Sequence, residues 1–482
     1  MSLLSAFTSA RSSLAAVSQQ SALVSRNVAN AENPTATRKY ANQTTSVLGG
    51  VSVHSVSQSS NQALFRSMTT ANSALAAAEV TWAGLDSIRS VVGDTDSIES
   101  PAARLTNLMT ALSQYAVTPE DSQTARAAVN AAADVVRSLN SATGAVQAAR
   151  EDADRKLADA AGKMNSLLSE FEGLNRRIVS GSLTGQDVTD DLDRRDQIVN
   201  ELSSYVGLNV QMRANNDMTL YTDSGITLFE TRPRLVEFTA QPNYDASVVG
   251  GSFKIDGVSV SGSSSAMPIK SGSVAGLLEL RDEAAVTFQG QLDEIASTLV
   301  SAFAETDLGG TSYSGLFSIR ADRTTTDLST VTDKTGLAGM ISVAASVQAD
   351  PLLLRDGNIS GQGIDYNVND VGGFADRLNA LLDNLGAQRS FDGSLGAGTS
   401  GTISDYIASS ISWLEDRRSI AHDDVDYQSS VLARAEEVLS DATGINLDEE
   451  MTHLLDLERS YQASSKLIST VGEMIDSIIA IA

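Results

Sequence analysis

The sequence predicts an elongated, mainly α-helical protein with a β-rich insertion, and three observations support that prediction. Both ends of the chain show apolar residues at heptad spacing. Most of the remaining chain is rich in alanine and has helical periodicity. Residues 206–270 instead alternate Thr, Val, Tyr and Phe with polar residues, and glycines interrupt them. We therefore expect the chain to run out along a helical shaft, build a distal β-rich domain and return, so that its two ends meet.

The C-terminal segment, residues 444–482, has the clearest apolar repeat. Asn446 stands where a helix N-cap would stand, and Glu449 follows three residues later, which predicts a helix with a capping box. Apolar residues then recur every seven positions, with further ones at the intermediate three-residue step. These residues are Leu447, Leu454, Leu457, Tyr461, Ile468, Val471, Ile475 and Ile478. The spacing is typical of a coiled-coil seam and predicts a partner helix.

The N-terminal segment has a matching stripe in steps of four and three residues: Leu3, Phe7, Leu14, Val17, Val24 and Val28, with Ala10 and Ser21 between them. Burying roughly ten aliphatic side chains stabilises by about 15 to 30 kcal/mol. Ordering about forty residues costs about 1.5 kcal/mol each, so one such helix does not fold alone. Pairing the two ends still leaves an apolar flank. We therefore expect the stripes to pair as a coiled coil and to form a subunit-assembly seam.

Changes of composition along the chain predict the domain boundaries. We expect a break in the helical pattern near residues 93–101, a long helix over residues 121–171 that ends near Gly173 or Gly181, and a strand or extended arm over residues 44–57. The predicted parts are an N-terminal coiled-coil helix and arm at 1–58, the first part of the shaft at 59–205, the β-rich domain at 206–270, the return part of the shaft at 271–440 with loops and short strands over 307–370, and the C-terminal coiled-coil helix at 441–482.

Charge and composition exclude several classes of partner. The 482 residues have a formal net charge of -26, which argues against binding nucleic acid or an anionic membrane, because phosphate contacts need clustered Lys and Arg. Cysteine is absent, so disulfides and thiolate metal sites are excluded. We find neither a cleavable signal pattern at the N-terminus nor an apolar run of about eighteen residues, so we expect no membrane insertion and, if the protein is exported, a route without a cleaved signal peptide.

Two loops have the spacing of ligand sites, but the surrounding residues argue against both. The Gly396 to Gly401 stretch matches a dinucleotide fingerprint, yet no apolar strand precedes it, so we expect a flexible loop. Asp365, Asn367, Asn369 and Asp376 have calcium-loop spacing. Asp370 occupies the position that requires glycine, and Asp376 is shorter than the usual bidentate Glu, so we expect no calcium site.

The remaining candidates for chemistry have structural explanations. The histidines, His54, His422 and His453, lie far apart in the sequence, and we expect them on the surface. Trp82 and Trp413 are expected in the helical core, or at a subunit contact. We find no nucleophile elbow, and the single Glu-x-x-His step, Glu450 to His453, lacks the second pair that a helical-bundle metalloenzyme needs. We therefore predict neither catalysis nor a cofactor nor a metal, although a self-contained helical bundle stays open as an alternative on these observations.

Several motifs resemble a known family. The asparagine-rich segment at residues 25–34 resembles the signature that closes the first helix of axial flagellar proteins. Residues 189–203, which begin Thr-Asp-Asp-Leu-Asp-Arg-Arg-Asp, resemble a motif of the hook-associated protein 1 (FlgK) family, as do residues 276–282 and 292–296. Residues 446–450 (Asn-Leu-Asp-Glu-Glu) and 459–464 (Arg-Ser-Tyr-Gln-Ala-Ser) resemble its C-terminal motif. The resemblance covers most of the chain except the β-rich insertion. From the residues alone, the 189–203 segment is also explained as a capped amphipathic helix with charge pairs on a solvated face.

The resemblance implies a function and a set of partners. It implies a structural subunit of the junction between flagellar hook and filament, assembled as a ring, required for filament assembly and motility, and located outside the cell. The implied partners are the hook protein, hook-associated protein 3, a dedicated export chaperone and the flagellar type III export apparatus. The alternatives are another axial flagellar protein, such as hook-associated protein 3 or a flagellin-like protein, or a secreted adhesin.

Overall fold

The computed structural model describes residues 3–45, 50–94, 97–262, 265–319 and 326–481, and these residues are mainly helical, as the periodicity predicts. One interruption is notable: α6 and α7 are joined by a π-helical turn, Leu280–Ala284. The helices are α1 Leu3–Ala29, α2 Gln62–Val92, α3 Pro101–Val117, α4 Ser122–Thr184, α5 Thr189–Tyr205, α6 Ser273–Glu279, α7 Ala285–Ala302, α8 Leu337–Met340, α9 Ala345–Ala349, α10 Leu353–Asp356, α11 Asp376–Gly386, α12 Ile403–Thr443 and α13 Leu447–Ile481.

The strands are short and form small antiparallel sheets: β1–β2, β3–β4–β5, β6–β7–β8, β9–β10, β11–β12 and β13–β14. Their bounds are β1 Lys39–Thr45, β2 Val51–Gln58, β3 Leu208–Met212, β4 Met218–Thr222, β5 Thr227–Phe229, β6 Val236–Glu237, β7 Lys254–Ile255, β8 Val258–Ser259, β9 Glu305–Thr306, β10 Ser312–Tyr313, β11 Phe317–Ser318, β12 Ser342–Val343, β13 Arg389–Ser390 and β14 Ser400–Gly401.

Helix α4 is the longest element of the body. Its 63 residues correspond to a length of about 95 Å. Of the two predicted ends, Gly173 is wrong and Gly181 is close: α4 ends at Thr184, and Gly185 caps it in the left-handed conformation at φ 72°. An interior glycine costs only about 1 kcal/mol. Burial of Phe171, Leu174 and Ile178 around those glycines outweighs that cost.

Helices α2 and α12 form an antiparallel pair along the body. Arg89 Nε lies 2.6 Å from a carboxylate oxygen of Glu415, and Arg418 lies 3.6 Å from Asp86. Residue numbers therefore increase in opposite directions along the two helices. The opposite side of α2 packs on α4, α5 and α6. The predicted break between α2 and α3 is confirmed, and Ser100 caps α3 ahead of Pro101.

The β-rich segment packs onto the helices through a shared core. Strands β3 to β8 all lie between Leu208 and Ser259. Phe229 of β5 contacts Phe171 of α4 edge to face, with ring centroids 4.8 Å apart. Buried residues of these strands belong to the same continuous apolar cluster as the helices, so helix α4 and the sheets stabilise each other.

The predicted single strand or arm at residues 44–57 is part of a hairpin. β1 and β2 pair in antiparallel register, and the register shifts between Asn42 and Gln43, which leaves His54 as the extra residue of a bulge. Val47, which contributed to the prediction, lies outside the described residues. The hairpin packs on α1. The alternation of apolar and polar residues did not predict β1, because this strand is largely polar, with the sequence Lys-Tyr-Ala-Asn-Gln-Thr-Thr.

Candidate functional site

The two ends of the chain pack against each other. Helices α1 and α13, which we call the terminal pair, lie side by side. Val17 and Val24 of α1 and Leu457 of α13 form a small buried cluster, and Val28 and Leu454 pack against it. This cluster is separate from the large core that joins the helices and sheets of the body. The terminal pair therefore depends on its own apolar contacts.

The residues of the predicted seam differ in burial. Val17, Val24, Leu457 and Val471 are buried. Leu3, Phe7, Leu14, Val28, Leu454, Ile468 and Ile475 are half-buried. Leu447, Tyr461 and Ile478 are exposed. The packing of α1 on α13 therefore covers part of the predicted seam and leaves the rest accessible.

Helix α13 also exposes apolar side chains beside the seam. Leu467 and Met474 are 58% and 51% exposed, although they are seven residues apart and so lie on one face of the helix. Leu3, Met474 and Ile478 line an open groove between the two helices. Further exposed apolar residues of α13 are Leu447, Met451, Leu455 and Ile479. Leu467 and Met474 share one side of α13 with Ile478, whereas Met451, Leu455 and Ile479 lie on the side of Ser465 and Ser469, so the exposed apolar residues occupy more than one side of the helix.

Three of the sequence motifs meet at one place, which we call the junction. It consists of Arg26 and Asn27 at the end of α1, residues 37–39 at the start of the β1–β2 hairpin, residues 187–193 at the start of α5, and Glu449 and Glu450 at the start of α13. The junction therefore fastens the terminal pair and the hairpin to the helical body.

Asn27 is the central residue of the junction and is 2% exposed. Its amide nitrogen donates to the carbonyl oxygen of Lys39 at 2.9 Å and to Glu450 Oε2 at 3.0 Å. Its amide oxygen accepts from the Lys39 backbone N–H at 3.1 Å. One side chain thereby satisfies both backbone groups of Lys39 and one oxygen of a buried carboxylate. The sequence predicts only a helix stop here, whereas the structure shows a three-way contact.

Glu450 places a carboxylate, 1% exposed, on the buried side of α13. Arg38 donates from Nε to Glu450 Oε1 at 2.7 Å and from Nη1 to Glu449 Oε2 at 3.2 Å. The predicted capping box is therefore half right. Asn446 does cap α13 by accepting from the backbone N–H groups of Asp448 and Glu449, but the Glu449 side chain binds Arg38. A buried polar group in an apolar seam fixes the register of two helices.

The start of α5 supplies the acidic half of the junction. Asp190 forms ion pairs with both Arg26 and Lys39, and Lys39 Nζ lies 3.1 Å from Asp193 Oδ2. Arg26 Nη1 also lies 2.8 Å from Asp187 Oδ2. Burial acts to raise the pKa of Asp190, but hydrogen bonds from Lys39 and Arg26 outweigh it and hold that pKa below its usual value. Asp190 therefore stays charged at neutral pH.

The explanation of residues 189–203 as a helix with its charges on a solvated face holds for Asp191 and Arg194, which pair with Arg177 and Glu170 at the surface, and is wrong for two other charged residues. Asp193 and Arg195 are buried. Arg195 Nη1 donates to Asn175 Oδ1 of α4 at 3.1 Å and to the carbonyl oxygen of Asn216. The helical period places Asp193 and Arg195 on the side of α5 that packs against other elements. Their charged character in the sequence did not show that their hydrogen-bonding partners lie elsewhere in the chain.

A pH experiment tests the electrostatics of α5. Burial raises the pKa of Asp196 to about 6; Arg195 opposes this rise and Asp193 adds to it. The unfolded value is about 3.9, so the folded state binds more protons between these values and stability falls as pH rises from about 4 to about 6. Asp196→Asn is expected to stabilise the protein by about 1 to 3 kcal/mol at pH 7.5 and to have little effect at pH 4. Urea unfolding at both pH values measures this difference.

Asp190→Asn provides the opposite control. Because the folded-state pKa of Asp190 is lowered, its contribution is present above the unfolded pKa and is lost only as pH falls through the lower folded value. Asp190→Asn should therefore destabilise at pH 7.5. Equal stability changes for Asp196→Asn at pH 4 and pH 7.5 would contradict the assigned pKa.

The other candidate sites are organised by protein groups. In the loop with calcium-like spacing, Arg355 donates to the carbonyl oxygens of Pro119 and Gly372 at 2.8 and 3.0 Å and pairs with Asp356. Asn367 is also bound to Asp356, at 2.6 Å. A guanidinium therefore provides the positive charge among these oxygens. Within the described ranges, no three His, Asp or Glu side chains are grouped closely enough to hold a metal ion.

The glycine-rich loop is closed by a short hairpin, which the sequence did not predict. β13 and β14 close it, and Phe391 stacks on Tyr406 of α12 with ring centroids 4.1 Å apart. Gly396 has φ 76° and lies against Trp413. Trp413, which stacks on Phe288, is only half-buried. The aromatic residues that contact this loop, Tyr406 and Trp413, both belong to α12.

The histidines do not come together. The ring of His422 lies 5.4 Å from that of Trp82, which is half-buried between α2 and α12. His54 and His453 are exposed on the hairpin and on α13. No helix in the described part of the chain has the length and apolar character needed to cross a bilayer.

Two regions of the chain match the models of known protein families. Residues 85–318 match the family model of the "Flagellar hook-associated protein FlgK helical domain", and residues 440–481 match that of the "Flagellar basal body rod FlgEFG protein C-terminal". Flagellar hook-associated protein 1 of Bacillus subtilis (strain 168) is 24% identical over 345 residues, which are 66% of this chain and 63% of that protein. The match thus spans less than two thirds of the relative.

A solved structure, that of the flagellar hook junction protein FlgK from Burkholderia pseudomallei, is 23% identical, with a TM-score of 0.44 over 53% of this chain and 47% of that one. The two family models define the class of this protein, an axial flagellar protein whose helical body and C-terminal helix each match a flagellar domain. Within that class, the matches of its helical part and of the Bacillus subtilis protein make the chain similar to the hook-associated protein 1 (FlgK) family.

Proposed function

We propose that this chain is a structural, non-enzymatic subunit of the bacterial flagellum that forms the junction between hook and filament. The observation that supports it most directly is the terminal pair, which has its own small cluster, separate from the body, and an apolar face on α13 left exposed. Neighbouring copies of the chain are the occupants that bury this face in a ring. The remaining seam residues, including Tyr461 and Ile478, then complete a coiled coil between subunits.

The proposal assigns separate roles to the parts of the chain. The terminal pair makes the contacts along the axis, with the hook protein on one side and hook-associated protein 3 on the other. The contact cluster around Asn27, which we named the junction above, sets the orientation of the body relative to the terminal pair. It does so because Arg26, Lys39 and Arg38 bind acidic groups near the start of α5 and of α13. The β-rich segment at 206–270 is the distal domain of the body. Delivery is through the type III export apparatus with a dedicated chaperone, to a location outside the cell.

Electron microscopy of cells that lack this chain tests the function. We expect hooks without filaments, loss of swimming, and flagellin released into the medium, because the filament then has no platform on the hook. A strain in which the gene is restored on a plasmid provides the control and should regain filaments. Filaments that remain attached in the absence of the chain would reject a role between hook and filament and would favour a secreted adhesin.

A further inference from the structure

Residues 240–251, which connect β6 to β7, cross the surface of the helical body without forming a helix or strand. We call this segment the strap. Side chains along the strap, among them Gln241, Asn243, Asp245, Ser247 and Val249, are exposed. The strap therefore buries little apolar surface of its own, and its attachment depends on polar contacts made by its backbone.

Two buried arginines make those contacts. Arg150 of α4 donates to the carbonyl oxygens of Asp245 and Val248 at 3.1 and 2.7 Å. Arg281 of the π-helical turn donates to the carbonyl oxygen of Gly251 at 2.8 Å. Both guanidiniums thus bind the strap through its main chain.

A carboxylate between the arginines completes the cluster. Asp154 and the guanidinium of Arg281 are each 1% exposed and lie 2.6 Å apart. Asp154 also accepts from the backbone N–H of Gln241 at 2.6 Å and from the Tyr244 hydroxyl at 2.9 Å. A buried pair of this kind is stable only when its remaining hydrogen-bonding positions are filled, and here the strap fills them.

The π-helical turn aims Arg281 into this cluster. A π turn inserts one residue into a helix and frees a backbone carbonyl group from the regular pattern. Here the carbonyl oxygen of Arg281 accepts from Arg150 Nε at 3.1 Å, and the Arg281 guanidinium is bound by Asp282 as well as by Asp154. The turn thus brings both the carbonyl oxygen and the guanidinium of Arg281 into the cluster.

Gly250 allows the strap to lie directly on this guanidinium. A Cβ atom built on Gly250 would lie 2.3 Å from Arg281 Cζ, which is closer than any non-bonded contact permits. The ends of the strap are held independently. Asn165 exchanges two hydrogen bonds with Val236 of β6, and Phe253 is fully buried after the strap.

We propose that the strap is a local opening unit and that Arg281 is the positioning residue that holds it closed on the helical body. Opening breaks the contacts of Arg150, Asp154 and Arg281 with residues 240–251, while β6 stays bound to α4 through Asn165. Segments held by few apolar contacts open at lower free energy than the core. The strap therefore controls whether the face of α4 beneath it is covered.

Hydrogen exchange of the full chain, followed by mass spectrometry, tests this proposal with Arg281→Met. Peptides that cover residues 239–252 are expected to exchange at least about tenfold faster than in the unmodified protein, while peptides from α2 and α12 keep their rates. Arg234→Met is the matched control, because Arg234 is an exposed arginine of the same region that pairs with Asp256 on the surface. That control should leave the strap unchanged.

Gly250→Ala opens the strap from the other side and keeps every charge. The added methyl group collides with the Arg281 guanidinium, so we expect the same local increase in exchange. Unchanged exchange of the strap in both variants overturns the proposal, because the arginine then does not hold the segment. A uniform increase across the strap, α2 and α12 also overturns it, because the cluster would then belong to the global core. If Arg281→Met does not fold, Gly250→Ala alone decides between these outcomes.

Discussion

Replacing Leu467 and Met474 together with aspartate is expected to abolish filament assembly while leaving the isolated protein folded. Both side chains are more than half exposed, and exposed substitutions usually change stability by about 0.5 kcal/mol or less. In an assembled ring the same positions would be buried against a neighbouring chain, where each unpaired carboxylate costs several kcal/mol. We therefore expect no swimming, flagellin in the medium, and a melting temperature within about 2 °C of the unmodified value.

Ser465→Asp combined with Ser469→Asp is the matched control for this double variant. Both serines are exposed on α13, and their spacing places them on the side of the helix opposite Leu467 and Met474. The control adds the same two charges to the same helix and should support normal filaments. Normal swimming of the Leu467/Met474 variant, or a fall of many degrees in its melting temperature, rejects the assembly role of this face.

Asn27→Ala is expected to release the terminal pair and the β1–β2 hairpin from the body. The substitution removes three hydrogen bonds, two to the backbone of Lys39 and one to Glu450. Each buried polar group left without a partner costs about 1 to 3 kcal/mol, so we expect a local loss of about 2 to 5 kcal/mol. Limited proteolysis should cut within residues 30–60 and in α13 much faster than in the unmodified chain, while α4 stays resistant.

Asn30→Ala is the control from the same motif. The amide nitrogen of Asn30 donates to the carbonyl oxygen of Arg26 in its own turn of chain at 2.8 Å and does not bridge to α13. Its removal should change the proteolysis rate little. Similar cleavage in both variants would show that Asn27 only ends the helix and does not join the three motifs.

Apolar periodicity predicted the elements that depend on local geometry. The heptad steps of α1 and α13 were sufficient to place both helices, because side chains three and four residues apart share a face whatever the rest of the chain does. The same reasoning failed for α4 at Gly173, since it counted the local cost of glycine and not the burial of Phe171 and Leu174, which tertiary contacts decide.

Polar partners were harder to predict because they have no period. Asn27 and Glu450 are 423 positions apart, and neither motif contains a feature that identifies the other as its partner. One signal was nevertheless present: Glu450 precedes Leu457 by seven residues and so occupies a seam position with a carboxylate. The insertion that creates the π-helical turn at Leu280–Ala284 had no such signal, since a single extra residue does not visibly disturb the apolar pattern of α6 and α7.

The contact between Ser13 and Ser464 joins residues 451 positions apart, which constrains the order of folding. Helix α1 is synthesised well before α13, and the apolar core of the body between them includes no residue of either helix. Once α2 and α12 are paired, however, Ser59 lies against Ala442, and Arg38 against Thr443. Pairing of α1 with α13 then closes a loop that contains only the residues next to these contacts. The entropy cost of closing this short loop is lower than that of closing the whole chain. Folding of the body thus brings the two ends of the terminal pair close together. The contact between Ser13 and Ser464 then forms over a short effective distance along the chain despite its high sequence separation.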